Sequence, residues 1–157
     1  MRYVALLRGI MPMNPNMKSE KLKEFFEDIG FKNVHTVIAS GNVIFDSPTT
    51  DVLSLEVKIE KELPKKLKFQ SSTFIRSYDE LKKLTSKDPF RGVKDEKPNY
   101  SVVTFKKSPR KEVCTVIDLN KSSGTEMMRM LEKEHGKEIT TRTWKTVNRI
   151  LKKMESV

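Results

Sequence analysis

Short apolar runs punctuated by turn residues open the chain, and each is followed by more widely spaced apolar positions. Tyr3–Leu7 is continuously apolar and ends at Arg8-Gly9, the pattern of a strand buried on both faces. Met11–Met17 carries Pro12 and Pro15 and predicts a loop. Leu22, Phe25, Phe26 and Ile29 then recur at three-and-four spacing, a helix that Ser19 can cap and Gly30 stops. Val34–Ile38 and Val43–Phe45 flank the turn residues Ser40-Gly41-Asn42 and predict a hairpin. Asp51 can cap a second helix, with Val52, Leu55, Val57, Ile59 and Leu63 as an imperfect apolar face and Pro64 as its end. From Leu67 to Arg76 apolar and polar residues alternate, a fourth strand with mixed faces. The order strand, helix, strand, strand, helix, strand is the ferredoxin-like, split βαβ pattern, an antiparallel sheet with two helices on one face. The opposite face must be solvated, bind something or be covered by the rest of the chain.

The remainder repeats the α+β character. Ser77 and Glu80 match a capping box ahead of Leu81 and Leu84. Lys87–Asn99, with Asp88-Pro89, Gly92 and Pro98, predicts a long loop. Tyr100–Phe105 and Val113–Leu119 predict strands. Ser123-Gly124-Thr125 leads into a helix ended by Gly136, and Ile139–Thr141 predicts a short strand. Thr143 can cap a last helix with Trp144, Val147, Ile150, Leu151 and Met154 on one face and Lys145, Arg149, Lys152 and Lys153 mostly on the other. The expected organisation is a ferredoxin-like α+β subdomain over residues 1–77 and a smaller, basic α+β subdomain over 78–157, packed on the first and ending in the amphipathic helix.

Charge changes this picture more than composition does. The 157 residues are 36% hydrophobic and 33% charged, so a packed core is affordable in apolar content and the chain is not a disordered polymer. The net charge is +10, and residues 101–157 hold 13 Lys and Arg against 7 Asp and Glu. A positive surface gathers nucleic acid, nucleotides or acidic partners, or is only a solvated lysine-rich face. The one cysteine, Cys114, lies in an apolar run and reads as a buried, inert thiol. No apolar stretch reaches the length of a membrane span, the opening Met1–Gly9 does not suit a signal peptide, and cytoplasm is the default compartment.

Candidate chemistry centres on arginine and small polar residues. Arg8 ends the first strand, and Ser40 and Asn42 sit in a turn at the same end of the sheet, so Arg8, Ser40, Asn42 and Asn14 form one candidate ligand-binding edge. A guanidinium fork suits phosphate or carboxylate. Thr141, Arg142 and Thr146 surround the start of the last helix, whose free N–H groups attract anions. Each feature also has a structural reading: Asn42 and Gly41 serve the turn, Arg8 pairs with an acidic neighbour, and Thr143 is the cap. Tyr3 and Phe45 lie on the strands that stack bases in RNA-recognition modules, although Ser40–Phe45 lacks their Arg/Lys-Gly-aromatic pattern and Phe45 fits a core position. His35 and His135 are far apart, carboxylate pairs such as Glu132 and Glu134 read as helix surface, and no metal, cofactor or catalytic residue is assigned.

Tyr3-Val-Ala-Leu-Leu-Arg-Gly-Ile10, Gly30-Phe31, Ser40-Gly-Asn-Val-Ile-Phe45 and Thr140-Thr-Arg-Thr-Trp-Lys-Thr146 resemble the anchor motifs of the family catalogued as domain of unknown function 1697. The resemblance implies an α+β fold built from ferredoxin-like parts and brings no assigned activity. Two loops depart from the family pattern. Residues 11–17 replace a glycine-rich loop with a proline-containing one, which has fewer N–H donors for an anion. Arg142-Thr143-Trp144-Lys145-Thr146 stands where the family has Arg-Asn-Trp-Asn-Thr.

The expected function is a binding protein whose basic cleft between the halves takes a nucleotide, a phosphate metabolite or a nucleic acid. The alternatives are an enzyme using the same cleft and a protein–protein adaptor using the uncovered sheet face.

Overall fold

The computed structural model describes residues 1–157 except Ser40 and Ser108. Four strands, β1 (Arg2–Leu7), β2 (Lys32–Thr36), β3 (Asn42–Asp46) and β4 (Thr73–Ser77), form a sheet in the order β2-β3-β1-β4 with every neighbouring pair antiparallel. Helix α1 (Ser19–Asp28) joins β1 to β2, and α2 (Val52–Leu67) joins β3 to β4. This is the split βαβ order read from the sequence. Helix α3 (Tyr78–Ser86) follows, then β5 (Asn99–Lys106), β6 (Glu112–Asp118), α4 (Gly124–His135), β7 (Ile139–Thr143) and α5 (Trp144–Ser156). The last three strands form a second antiparallel sheet in the order β6-β5-β7.

Both faces of the first sheet are buried. Tyr3, Ala5, Leu7, Val43, Phe45 and Ile75 meet Leu22, Phe25 and Phe26 of α1 and Leu55, Ile59 and Leu63 of α2. On the other face, Val4, Leu6, Ile44 and Phe74 meet Leu81 of α3, Val103 and Phe105 of β5, and Val147, Ile150, Leu151 and Met154 of α5. The second half of the chain therefore covers the face that an adaptor would have used. It also removes the base-stacking arrangement: Tyr3 and Phe45 are 1% and 0% exposed, on the helix-covered side, and stack on each other at 5.6 Å. No linker divides the halves, because Ser77 pairs with Tyr3 as the last residue of β4 and accepts the Glu80 N–H as the cap of α3.

Several local expectations shift. Ser19 is the first residue of α1, whose cap position is Lys18 with no side-chain bond. Helix α2 runs through Pro64 to Leu67 and closes at Lys68, whose N–H bonds Pro64 O at 3.2 Å. Proline's fixed φ is helical and it forfeits a single N–H, so the last turn survives it. Leu67 consequently belongs to the helix, and β4 is confined to Thr73–Ser77.

The imperfect apolar face of α2 is explained by Glu56. It is 4% exposed, while Val57 faces solvent. β4 is an edge strand, and its outward N–H groups need acceptors. Ile75 N–H donates to Glu56 Oε2 at 3.1 Å, Thr73 N–H to Glu60 Oε1 at 3.0 Å, and Ser77 N–H to Glu80 Oε1 at 2.9 Å. Three carboxylates thus seal one edge. Lys107 pairs with Glu60, and Arg110 with Glu80 at 2.8 Å, bringing cations of the β5–β6 hairpin over them.

Burial raises the Glu56 carboxyl above its ordinary pKa, against the opposing pull of the Ile75 N–H and of Lys107, Arg110 and Arg76. The folded chain then binds that proton more tightly than the unfolded chain, so this group's contribution to stability falls as the pH rises from the ordinary carboxylate value through the raised one. Glu56→Gln keeps an acceptor for Ile75 and abolishes the fall, so its stability relative to wild type improves from acid to neutral pH. Glu56→Ala leaves the N–H unpaired and costs about 1–3 kcal/mol. Urea denaturation of both variants across that pH range measures the two effects.

Candidate functional site

The end of β1, the β2–β3 turn and β7 meet where the two sheets approach. Gly41 permits this. Its φ is +82°, and a Cβ there would lie 2.6 Å from Ile10 Cγ1 and 3.0 Å from Leu7 O. Beside it, the buried Asn42 donates from Nδ2 to Val37 O at 3.0 Å and accepts Arg142 Nε on Oδ1 at 2.6 Å. Arg142 also donates from Nη1 to Thr140 Oγ1 at 2.7 Å and Thr141 O at 3.0 Å, and from Nη2 to Leu7 O at 2.9 Å. Burial lowers its pKa to about 10, still high enough to keep the charge at neutral pH. Arg142 is thus a strut from the second sheet into two strands of the first.

Arg8 stands at the mouth of the same place. Its backbone is fixed by Arg8 N–H to Ser72 O at 3.0 Å and Ser71 Oγ to Arg8 O at 2.8 Å. Its guanidinium pairs with Glu132 Oε1 of α4 at 2.5 Å. A cavity of about 260 Å³ lies there, lined by Arg8, Gly9, Glu132, Thr140, Thr141 and Arg142 among others.

Of the residues expected at a ligand edge, the structure gathers Arg8, Thr141 and Arg142 at this cavity, with Asn42 bonded behind it. Asn14 is elsewhere, accepting Asn16 N–H at 2.9 Å to cap a 3-10 turn at Pro15–Met17. Thr146 serves the cap of α5, donating its N–H to Thr143 Oγ1 at 3.2 Å. Ser40 lies outside the described residues. The acidic neighbour of Arg8, Glu132, carried no signal beyond its place on a helix surface. Among the described residues, no group of His, Cys, Asp and Glu could hold a metal ion.

A second concavity carries charge of one sign only among its lining residues. Thr36, Val37 and Ile38, at the end of β2, face Arg149, Lys152, Lys153 and Ser156 of α5 across a groove of about 470 Å³. Ile38 is 40% exposed and held at φ 58°, a left-handed conformation that a β-branched side chain rarely takes. The side chains of Arg149, Lys152 and Lys153 make no ion pair among the described residues. Glu155, the acidic residue of α5, is turned to Tyr78 and Lys82 instead. The spacing of these cations on a predicted helix was legible; what they face was not.

A family model described as protein of unknown function (DUF1697) matches residues 1–135. The chain belongs to this family. The DUF1697 match ends before Thr140–Thr146, so the Arg142 strut and α5 lie outside the matched residues. No curated protein matches the chain. Among solved structures, the conserved bacterial protein SP0830 from Streptococcus pneumoniae is similar in fold, with a TM-score of 0.68 at 17% identity over 98% of each chain. No helix among the described residues is long and apolar enough to cross a membrane.

The two arginines predict losses of different size on substitution. Arg142→Ala leaves Asn42 Oδ1 and Leu7 O without this donor and lowers the unfolding free energy by about 2–3 kcal/mol, and Arg142→Lys, lacking the fork, restores little of it. Arg8→Ala removes a partly exposed pair and costs less than about 1 kcal/mol. Chemical denaturation midpoints distinguish them.

Proposed function

We propose that this chain binds a phosphate-bearing polyanion, and that the groove between the end of β2 and α5 receives it. The observation that carries the reading is the set of unpaired cations Arg149, Lys152 and Lys153 lining that groove. In the Arg8–Arg142 cavity, by contrast, the guanidinium of Arg142 is spent on protein acceptors and an anion would have to displace Glu132 from Arg8. Lys145 continues the cationic row one turn N-terminal to Arg149. At 1.5 Å per residue, Lys145 to Lys153 spans about 12 Å, long enough for more than one phosphate, which favours a nucleic-acid backbone over a mononucleotide. Val37 and Ile38 supply apolar surface beside the charges, on which a base or sugar can rest. A cytoplasmic setting goes with this reading.

Fluorescence anisotropy with a labelled single-stranded oligonucleotide across a salt series tests it. Wild type binds at low salt, with affinity falling as salt rises. Arg149→Ala/Lys152→Ala/Lys153→Ala lowers the log–log salt slope by about 2, at roughly 0.7 per phosphate contact on a single strand. Arg8→Ala leaves binding unchanged. Equal binding by the triple variant, or loss of binding in Arg8→Ala, would return the site to the cavity between the sheets. No wild-type binding to oligonucleotide or nucleotide at low salt would reduce the cationic groove to a solvated surface.

A further inference from the structure

The sheets have four edges, and three are managed. Carboxylates of Glu56, Glu60 and Glu80 cover β4. β2 is broken by a register shift between Lys32 and His35, with Asn33 at φ 50°. On β7, the carbonyl of Thr141 is taken by Arg142. The fourth edge, β6, has none of these devices.

β6 is seven residues long, Glu-Val-Cys-Thr-Val-Ile-Asp, with no proline or lysine within it. Its neighbour is β5, in a register that pairs Val102 with Thr115 and Val103 with Cys114. Lys106 N–H donates to Lys111 O at 2.8 Å and Leu119 N–H to Pro98 O at 3.0 Å at the two ends of this ladder. The alternation of an antiparallel pair then turns the N–H and C=O groups of Glu112, Cys114 and Val116 away from β5. None of these groups has a hydrogen-bond partner among the described residues.

We infer that β6 pairs with β6 of a second copy of this chain, antiparallel and about a two-fold axis through Thr115, joining two three-stranded sheets into one. The strand's own sequence argues for this occupant. About Thr115 the segment is chemically palindromic: Val113 faces Ile117 of the second copy, Cys114 faces Val116, and Thr115 faces Thr115. β-branched and small side chains thus oppose one another at every interior position, the pairing that stabilises strands. The register also sets outward groups against outward groups, Cys114 with Val116 twice over. Charges stand only at the ends, where Glu112 faces Asp118 of the second copy; this like-charge pair works against the interior pairs and is offset in part by Arg76, which engages Glu112 at 2.7 Å. An isologous contact of this kind closes at two and leaves no further edge on either β6. One strand pair is a small interface, so the dimer is weak and reversible. The net charge of +10 on each copy makes it tighter as salt rises, the opposite of the salt response expected for a polyanion in the α5 groove.

Sedimentation velocity over a concentration series, without nucleic acid and at two salt concentrations, provides the first test. A sedimentation coefficient that climbs towards the dimer value with concentration, more readily at the higher salt, is expected. A monomer up to millimolar concentration overturns the inference. The second test reads register. Val116→Cys places a thiol opposite Cys114 of the second copy in a hydrogen-bonded pair, whose Cα separation of about 5.5 Å is within disulfide reach. Mild oxidation then gives a band of twice the chain mass on a non-reducing gel, and Cys114→Ala/Val116→Cys loses it. Thr115→Lys sets two like charges face to face on the axis and abolishes the dimer, with a melting curve showing that the chain still folds. A dimer that survives Thr115→Lys, or one that never cross-links in Val116→Cys, overturns the pairing proposed.

Discussion

A guanidinium with no exposed surface stands between the two sheets, and the arrangement of the molecule depends on it. Arg76 leaves β4 on the face away from α1 and α2 and spends its donors on the second half. Nε bonds Glu112 Oε1 at 2.7 Å, and Nη2 bonds Lys106 O at 2.8 Å. Nη1 returns to Ile75 O, and the Phe105 ring lies 5.5 Å from the guanidinium carbon. A charge buried so completely is tolerable only if nearly every donor is satisfied. That requirement fixes where the β5–β6 hairpin lies. Arg142 makes the reciprocal reach from β7 to the far end of β1. Two arginines, one from each sheet, thus bridge the apolar layer between them with directional bonds that the layer itself does not supply.

The apolar rhythm of the chain was enough to read the first half, because a strand buried on both faces and helices with three-and-four spacing announce themselves locally. It also predicted the caps at Asp51, Ser77 and Thr143, each of which involves residues a few positions apart. It misplaced the end of α2, since Pro64 is a helix breaker only where its N–H is needed. It passed over Glu56 and placed Val57 on the apolar face instead, because the acceptor's purpose lies 19 residues away on an edge strand.

The candidate site was less legible for the same physical reason. That Arg8 and Asn42 would lie at the same end of the first sheet followed from its topology, while Arg142 was placed only at the start of the last helix. That Arg142 would consume its donors on Asn42 and on Leu7, 100 and 135 residues away, did not, because a guanidinium in sequence looks the same whether it awaits a ligand or holds a wall. Charge counting showed a basic C-terminal third. It could not show that Glu155 turns aside to Tyr78 and Lys82 and leaves Arg149, Lys152 and Lys153 facing a groove with no acidic residue in its lining among the described residues.

Ser77 carries a consequence of its own. One residue closes the first sheet with its backbone and starts the next helix with its hydroxyl, while Glu80 caps that helix and shields the strand's last N–H. Melting α3 therefore unseals the edge of β4, and fraying β4 uncaps α3. Strand and helix are one cooperative unit, so the midpoint of this chain, where a hinge would be sought, is a place where the two halves must move and unfold together.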